Sequence, residues 1–189
     1  MERLPRAFFA RPTLAVARDL LGQRLVRVLD GARISGRIVE AEAYVGEGDR
    51  ACHARSGRTV RNAAMYGPPG HAYVYLIYGM HYCLNLVTEE EGFPAAVLIR
   101  ALQPLEGRAL MQAHRAGRPE REWANGPGKL CRALAIDRTF DKADLCAPDA
   151  RLFVEADAAI PDGAVATGPR VGVTGDDAAV SAPWRFTVR

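Results

Sequence analysis

One Asp-Gly pair constrains the fold of the first half of the chain. Asp30 and Gly31 separate two strand-like runs, Arg24 to Leu29 and Ala32 to Tyr44. An Asp-Gly dipeptide suits the two-residue turns in which both central residues have positive φ, and these turns join antiparallel strands. The sequence therefore predicts a β-hairpin at this point.

The other segments predict a mixture of strands and helices. Further strands are predicted at Ala72 to Ile77, Tyr82 to Val87, Ala95 to Leu102, Leu152 to Glu155, Arg170 to Val173 and Arg185 to Val188, and helices from Thr13 towards Gly22, at Leu105 to Ala116 and at Gly128 to Leu134. Residues 45–71 are rich in Gly, Arg and Pro and predict a long irregular segment, which in a compact domain is more often functional than idle. The pattern favours an α+β fold in a single domain, residues 1–189.

Composition places the chain among ordinary globular proteins. It has 189 residues, of which 49% are hydrophobic and 25% charged, and no apolar stretch long enough to span a membrane. Its four cysteines are widely spread and no signal peptide opens the chain, so we expect a reduced, cytoplasmic protein. The adjacent Cys52 and His53 lack a second ligand pair and make a poor zinc site.

Positive charge is concentrated near the N-terminus. The net charge is only +3, but residues 1–37 contain eight arginines against three acidic residues. Residues 50–88 contain four arginines and no Asp or Glu. This asymmetry is typical of a surface that meets an anionic partner. A general preference for arginine, 23 against two lysines, is the alternative explanation.

All six tyrosines lie between Tyr44 and Tyr82. Because side chains alternate along a strand, Tyr73 and Tyr75 should share one face, whereas Tyr78 lies beside the turn at Gly79. Aromatic faces in a positive field favour stacking against nucleic acid. The alternative is an aromatic sheet surface that reflects strand propensity alone. A tyrosine at a hairpin tip could also act as a wedge between stacked bases.

An acidic strand precedes the tyrosines. Glu40, Glu42 and Tyr44 should share one face, while Val39, Ala41 and Ala43 face the core. A carboxylate beside apolar and aromatic groups can act as a general base toward water, as inverting hydrolysis of a glycosidic bond requires. The alternative is a solvated acidic face.

Gly126-Pro127-Gly128-Lys129 faintly resembles a phosphate loop but lacks the Walker spacing, so we exclude nucleoside triphosphate binding. Lys129 at a helix start remains a candidate contact for a backbone phosphate. His71, His81 and His114 carry no clear signal, whereas His53 lies in the basic loop close to Tyr44.

Several of these motifs together resemble the alkyladenine (3-methyladenine) DNA glycosylase family. The resemblance is carried by Arg37 to Tyr44, the following loop with His53, Ala72 to Met80, Leu98 to Leu102, Gly126 to Cys131, Pro169 to Val173 and Pro183 to Phe186. It implies a single mixed domain with a curved antiparallel sheet, flanking helices and a protruding hairpin. It further implies a monofunctional enzyme that flips a damaged purine out of duplex DNA and hydrolyses its N-glycosidic bond without a metal or cofactor.

The resemblance also implies roles for individual residues. Glu42 would be the general base, and His53 and Arg100 would hold the water together with a backbone carbonyl near Val171. The flipped base would lie between the side chains of Tyr44, His53 and Tyr75, with Tyr73 in the pocket floor, Asn85 disfavouring guanine and Tyr78 intercalating.

Arg55, Arg58 and Lys129 would contact the DNA backbone. The partner would be double-stranded DNA that contains damaged purines, bound by a monomer in the bacterial cytoplasm or nucleoid, with no membrane contact.

Two other functions fit parts of the pattern. A non-catalytic nucleic-acid binder would use the same aromatic and basic surface, but Glu42 would then weaken phosphate binding without a purpose. A hydrolase of free nucleosides would have no use for Tyr78 or for the basic asymmetry.

Overall fold

The predicted hairpin is present in the computed structural model, which describes residues 1–189. Strands β1 (Arg24–Leu29) and β2 (Ala32–Val45) pair in antiparallel fashion across Asp30 and Gly31. Both turn residues have positive φ, 50° and 81°, as the Asp-Gly pair predicts.

Eight strands form one antiparallel sheet. The others are β3 (Ala72–Ile77), β4 (His81–Val87), β5 (Ala95–Pro104), β6 (Leu152–Glu155), β7 (Val165–Gly168) and β8 (Arg185–Val188). The strand order is β3-β4-β5-β2-β1-β6, and β8 pairs with both β2 and β7. The long strand β2 is therefore shared, since its first half pairs with β1 and residues 40–42 pair with β8.

Short helices cover the sheet. They are α1 (Arg6–Phe9), α2 (Thr13–Asp19), α3 (Arg108–His114), α4 (Pro127–Ala133) and α5 (Asp177–Ser181). The three predicted helices are confirmed, α2 and α3 with shorter bounds and α4 shifted by one residue, and α1 and α5 had no periodic signal long enough to be noticed. No helix is both long enough and apolar enough to cross a bilayer.

Two strand predictions need correction. Arg170 to Val173 forms no strand, and the nearby strand β7 lies at Val165–Gly168. Gly172 has a φ of 70°, outside the extended region, and the Arg170 side chain turns into the protein interior. In β2, the pairing register shifts on both sides of Glu40, so Val39 is only half-buried and Ile38 fills the core instead. A β-bulge of this kind breaks the simple alternation.

Side-chain parity divides the sheet into two differently used faces. One face of β2 to β5 supplies Ala41, Val74, Leu84 and Ile99 to the larger hydrophobic core, which packs against the helices. The opposite face packs against residues 51–66 in a second, smaller core, where aromatic and polar side chains are concentrated. Tyr66 belongs to this second core.

Candidate active site

Four paired strand positions form a row across the second face of the sheet. Tyr73 of β3 pairs with Asn85 of β4, Asn85 pairs with Leu98 of β5, and Leu98 pairs with Glu42 of β2. Neighbouring strands lie about 4.8 Å apart, so antiparallel register alone brings these distant residues to one surface. The row places the predicted general base Glu42, the pocket-floor residue Tyr73 and the specificity residue Asn85 side by side.

The irregular segment after β2 covers this row. The Asn62 amide donates to the carbonyl groups of His53 and Gly57 at 2.9 and 3.0 Å and is almost fully buried. Asp49 accepts from the backbone N–H of Ala51 at 3.0 Å. These internal contacts give the loop a defined shape and point the His53 ring towards the tyrosines.

A cavity of about 480 Å³ opens between the loop, the sheet and the start of α4. Its walls include Tyr44, His53, Tyr73, Tyr75, Tyr78, Asn85, Arg55, Arg100 and Lys129, all of them predicted site residues. No Asp or Glu side chain lines the cavity, and its charged lining is basic. The volume and the aromatic walls suit a planar ligand the size of a purine.

Glu42 lies beside the cavity and is fully buried. Its Oε1 accepts from the backbone N–H of Val171 at 2.7 Å and lies 3.3 Å from Nη1 of Arg100. Its Oε2 accepts from the Tyr44 hydroxyl at 2.9 Å. Isolated buried carboxylates are costly, and these three partners compensate for the lost water.

Burial has the largest effect on the acidity of Glu42. It raises the pKa of this carboxyl above its ordinary value, although Arg100, the Val171 N–H and the Tyr44 hydroxyl each act in the opposite direction. Burial and the neighbouring Glu42 also raise the pKa of Tyr44, which therefore stays a neutral hydrogen-bond donor. A carboxylate with raised proton affinity is suited to accept a proton from water.

Arg100 connects the two glutamates of β2. Its Nε donates to Oε1 of Glu40 at 2.9 Å, and Glu40 also accepts from Nη1 of Arg185 on β8 at 3.3 Å. Burial alone would lower the pKa of Arg100, but Glu42 and Glu40 more than offset it and raise the pKa. Glu40 thus forms ion pairs with Arg100 and Arg185, whereas Glu42 is close to Arg100 alone.

His53 lies against both predicted pocket tyrosines. Its Nδ1 shares a hydrogen bond of 2.9 Å with the Tyr73 hydroxyl, and its ring meets Tyr75 edge-on with centroids 4.6 Å apart. Burial, with Arg61 and Arg55, lowers the pKa of His53, so the ring is neutral at neutral pH. A neutral ring can approach a cationic base without repulsion.

A hydrogen bond to the backbone holds the Asn85 side chain in place. Its side-chain N–H donates to the backbone carbonyl of Tyr73 at 3.1 Å, and the residue is almost fully buried in the cavity wall. This bond fixes the orientation of the amide, so its carbonyl oxygen has a defined direction.

The β3–β4 hairpin carries an exposed aromatic tip. Tyr78 is 82% exposed and Met80, two residues on, is 69% exposed. The connection between Ile77 and His81 has three residues, and the first two, Tyr78 and Gly79, have positive φ values of 53° and 67°. Left-handed backbone is unusual for a bulky residue and is found most often at functional positions.

The predicted phosphate contacts are divided between two places. Arg55 and Lys129 line the large cavity, whereas Arg58 lies outside it, above the Tyr66 ring and beside a smaller pocket of about 190 Å³. None of the three has a carboxylate within 4.0 Å among the ion pairs of the chain. Their charges are therefore free to meet an anion.

Sequence reasoning missed several members of the site. His81, which we considered to carry no signal, lines the cavity. It packs closely against Gly128, since a Cβ added to Gly128 would lie 2.9 Å from the Cβ of His81. Arg61 lies 5.7 Å from the centre of the Tyr75 ring. The Val171 N–H, which donates to Glu42, was not expected, and the carbonyl near Val171 that is expected to hold the water stays a prediction. A backbone amide and a surface arginine have no sequence signature that could have identified them.

Comparison with known proteins identifies the family of the chain. Residues 7–189 match the methylpurine-DNA glycosylase (MPG) family. The chain belongs to this family. Membership confirms the resemblance identified in the sequence, and it makes the chain a DNA glycosylase, an enzyme that hydrolyses N-glycosidic bonds.

Relatives in this family cover nearly the whole chain. A protein of Methanocella arvoryzae is 56% identical over 98% of this chain and 92% of its own. Proteins of Anaeromyxobacter dehalogenans strain 2CP-1 and Myxococcus xanthus are 53% and 47% identical, over 99% and 100% of this chain and 82% and 91% of theirs. Each bears the name "Putative 3-methyladenine DNA glycosylase".

Proposed function

We propose that this glycosylase excises alkylated or deaminated purines, of the 3-methyladenine type, from duplex DNA and so starts base excision repair. The observation that carries the proposal is the buried Glu42 carboxylate beside an aromatic cavity of purine size. The base flips out of the helix, and water activated by Glu42 hydrolyses its N-glycosidic bond.

The cavity walls suit an electron-poor ring. Tyr44, His53 and Tyr75 are the side chains between which the flipped base lies, with Tyr73 below them. Alkylated purines are often cationic, and tyrosine faces attract such rings by stacking and cation–π contact. Because His53 is neutral and no carboxylate lines the cavity, the base is held by aromatic faces instead of by an ion pair.

For a cationic base, the chemical step balances with one carboxylate. Water attacks C1′ of the flipped nucleotide, Glu42 accepts the proton, and the electron pair of the N-glycosidic bond leaves with the base. A cationic base becomes neutral as it departs, so it needs no general acid. Arg100 and His53 hold the water near Glu42. In the free protein Tyr44, Arg100 and Val171 enclose the carboxylate, so one of them must shift to admit water.

Selection against normal guanine falls to Asn85. Its amide is fixed by the Tyr73 carbonyl and lies in the cavity wall. The exocyclic amine of guanine would meet this side chain, whereas adenine-type bases lack an amine at that ring position. A fixed polar group can reject a poorly matched base because one of the two is left unpaired.

Backbone phosphates are bound by Arg55, Arg58 and Lys129. Replacing Arg55 or Lys129 with Ala is expected to weaken binding to every duplex and to reduce the slope of log K against log salt by about 0.9 per lost contact. Fluorescence anisotropy over a series of salt concentrations measures this slope. Arg151→Ala removes an exposed arginine beside β6, at the far edge of the sheet from β3, and should leave the slope unchanged.

Base release should fall in acid. Glu42 must be ionised to accept a proton, and burial raises its pKa above the ordinary value of 4.5. Activity is therefore present above this raised pKa and is lost as the pH falls through it. The acid limb of kcat/KM against pH should accordingly lie above pH 4.5.

The same profile recorded on His53→Gln separates the two titrating candidates. If the limb persists in this variant, it belongs to Glu42; if it disappears, His53 is the group that titrates and the assignment fails.

One assay separates the proposed function from its two alternatives. The protein is incubated with duplexes that carry 3-methyladenine, 1,N6-ethenoadenine or hypoxanthine, and abasic sites are detected as alkali-labile breaks. We expect release of the base from duplex DNA and no strand break before alkali. Binding without release would support a non-catalytic binder, and equal activity on free nucleosides would support a nucleoside hydrolase.

Two expectations from the sequence remain proposals. The enzyme acts as a monomer, and it works in the cytoplasm at the nucleoid. Sedimentation of the protein with and without a lesion duplex tests the first.

A further inference from the structure

Arg170 and Asp49 form the most deeply buried ion pair of the chain. Their side chains are 0% and 1% exposed. The pair is bidentate, since Nη1 lies 2.5 Å from Oδ2 and Nη2 lies 2.8 Å from Oδ1. Burial alone would lower the pKa of Arg170, but hydrogen bonding and attraction to Asp49 more than offset it, so the pKa is raised.

The same guanidinium contacts the strand that carries the site. Nη1 donates to the Ala43 carbonyl at 3.0 Å, and Ala43 separates Glu42 from Tyr44 in the chain. The guanidinium carbon lies 4.7 Å from the centre of the Tyr44 ring and 4.9 Å from that of Trp184. Arg170 thus supports Tyr44, which itself lines the base cavity.

The residue after Arg170 contacts the general base directly. The Val171 N–H donates to Oε1 of Glu42 at 2.7 Å. The Val171 side chain is 50% exposed, and the chain turns away at Gly172 with a φ of 70°. The anchors of this amide therefore lie before it in the chain: the buried Arg170 side chain, and the Pro169 carbonyl, which accepts from Nε of Arg185 at 2.9 Å.

Stability alone does not account for this pair. Taking both charges out of water is costly, and an apolar pair of similar volume often stabilises a fold at least as well. Nε of Arg170 is also buried without a partner, a further cost. An apolar side chain at position 170 could not donate hydrogen bonds to the Asp49 carboxylate and to the carbonyl groups of Ala43 and Ala179 at once.

We propose that Arg170 and Asp49 are positioning residues for the reaction, which hold the Val171 amide against Glu42 and the Tyr44 ring against the flipped base. This inference rests on the proposed role of Glu42 as general base. Neither residue touches the substrate; both act through Val171 and Tyr44.

The surroundings of Glu42 define what a variant should change. The charged and titratable groups near its carboxylate are Arg100 on β5, Tyr44 and Glu40 on β2, Cys83 on β4, Arg185 on β8 through Glu40, and Arg170 itself. Arg170→Lys retains the positive charge at position 170 but cannot form the bidentate pair with Asp49. The variant therefore tests geometry more than charge.

Single-turnover release of 3-methyladenine from a duplex, measured across pH, tests the proposal. For Arg170→Lys we expect a rate constant about 10- to 100-fold lower, since small misplacement of reacting groups has effects of this size. We also expect the acid limb to move to higher pH, because the Val171 N–H no longer stabilises ionised Glu42. Val171→Pro deletes this N–H at an exposed position and should move the limb in the same direction.

The double variant Arg170→Lys/Val171→Pro distinguishes a positioning role from a purely structural one. If Arg170 acts through the amide, adding Arg170→Lys to Val171→Pro gives no further shift of the limb. Asp157→Asn, which weakens a remote and largely buried ion pair with Arg24, is the matched control and should leave the limb in place. Asp49→Asn replaces Arg170→Lys if that variant does not fold, and Val171→Pro decides the matter if neither does.

The outcomes separate this inference from the proposed function. An unmoved limb in Arg170→Lys or in Val171→Pro, with a normal limb in the unaltered enzyme, overturns the positioning role alone. Full activity of Glu42→Gln overturns the function on which it rests.

Discussion

Glu42→Gln is expected to lower the rate constant for release of 3-methyladenine by about 100- to 10,000-fold, the usual contribution of a general base. Gln cannot take the proton from water, although it preserves the shape of the side chain. Its oxygen can still accept from the Val171 N–H, and its NH2 group replaces the oxygen that accepts from Tyr44 and can donate to that hydroxyl instead. Affinity for lesion DNA should persist, because Glu42 is fully buried and does not line the cavity. Single-turnover release and anisotropy titration on one duplex measure both quantities.

The chain contains a matched control for this substitution. Glu47 accepts a hydrogen bond from the Tyr66 hydroxyl at 2.8 Å, much as Glu42 accepts one from Tyr44 at 2.9 Å, but Glu47 is exposed and lies outside the cavity. Glu47→Gln should release base at the unaltered rate. Equal losses in the two variants would mean that the effect is not specific to Glu42, and a fully active Glu42→Gln would remove the general base from the account.

The second large effect is expected at the hairpin tip. Tyr78→Ala should reduce the equilibrium constant for base flipping by about 10- to 100-fold, since stacking of a base on an aromatic side chain contributes about 1–3 kcal/mol. The fluorescence of 1,N6-ethenoadenine, which increases on unstacking, measures this constant in stopped flow. Tyr78→Phe keeps the ring and serves as the control.

Tyr78→Ala should impair base flipping, whereas Glu42→Gln should impair bond cleavage. Once a base is flipped, Glu42, Tyr44 and Arg100 are untouched in Tyr78→Ala, so the cleavage rate constant at saturating flipping is unchanged. Normal flipping in Tyr78→Ala would show that the exposed ring does not fill the vacated stack. The ring would then need another explanation for its unfavourable φ of 53°.

Local chemistry in the sequence was sufficient for much of the sheet. The Asp30-Gly31 turn, the parity of Tyr73 and Tyr75, and the bounds of β3, β6 and β8 follow from residue types over a few positions. Such features depend on neighbouring residues alone, so they survive into the folded structure.

Features that depend on distant partners could not be predicted. The bulge beside Val39 arises from pairing with β5, and the irregular course of Arg170 to Val173 follows from an ion pair with Asp49, 121 residues away. Charged residues are almost never fully buried unless paired, so the complete burial of Glu42 required two partners from distant segments, Arg100 and Val171, besides Tyr44 on the same strand. Glu42 could be identified from the sequence as a candidate general base, whereas its buried environment could not be predicted.

The stereochemistry of the sugar product tests the central claim most directly. In DNA the base is attached to the β face of C1′, and water delivered by Glu42 attacks from the opposite face in one displacement. When the reaction runs in aqueous methanol, methanol takes the place of water in part of the product, and NMR assigns the configuration of the methyl glycoside. The account predicts the α anomer. A β product, or a sugar covalently attached to Glu42, would mean a double displacement and would contradict the general-base role.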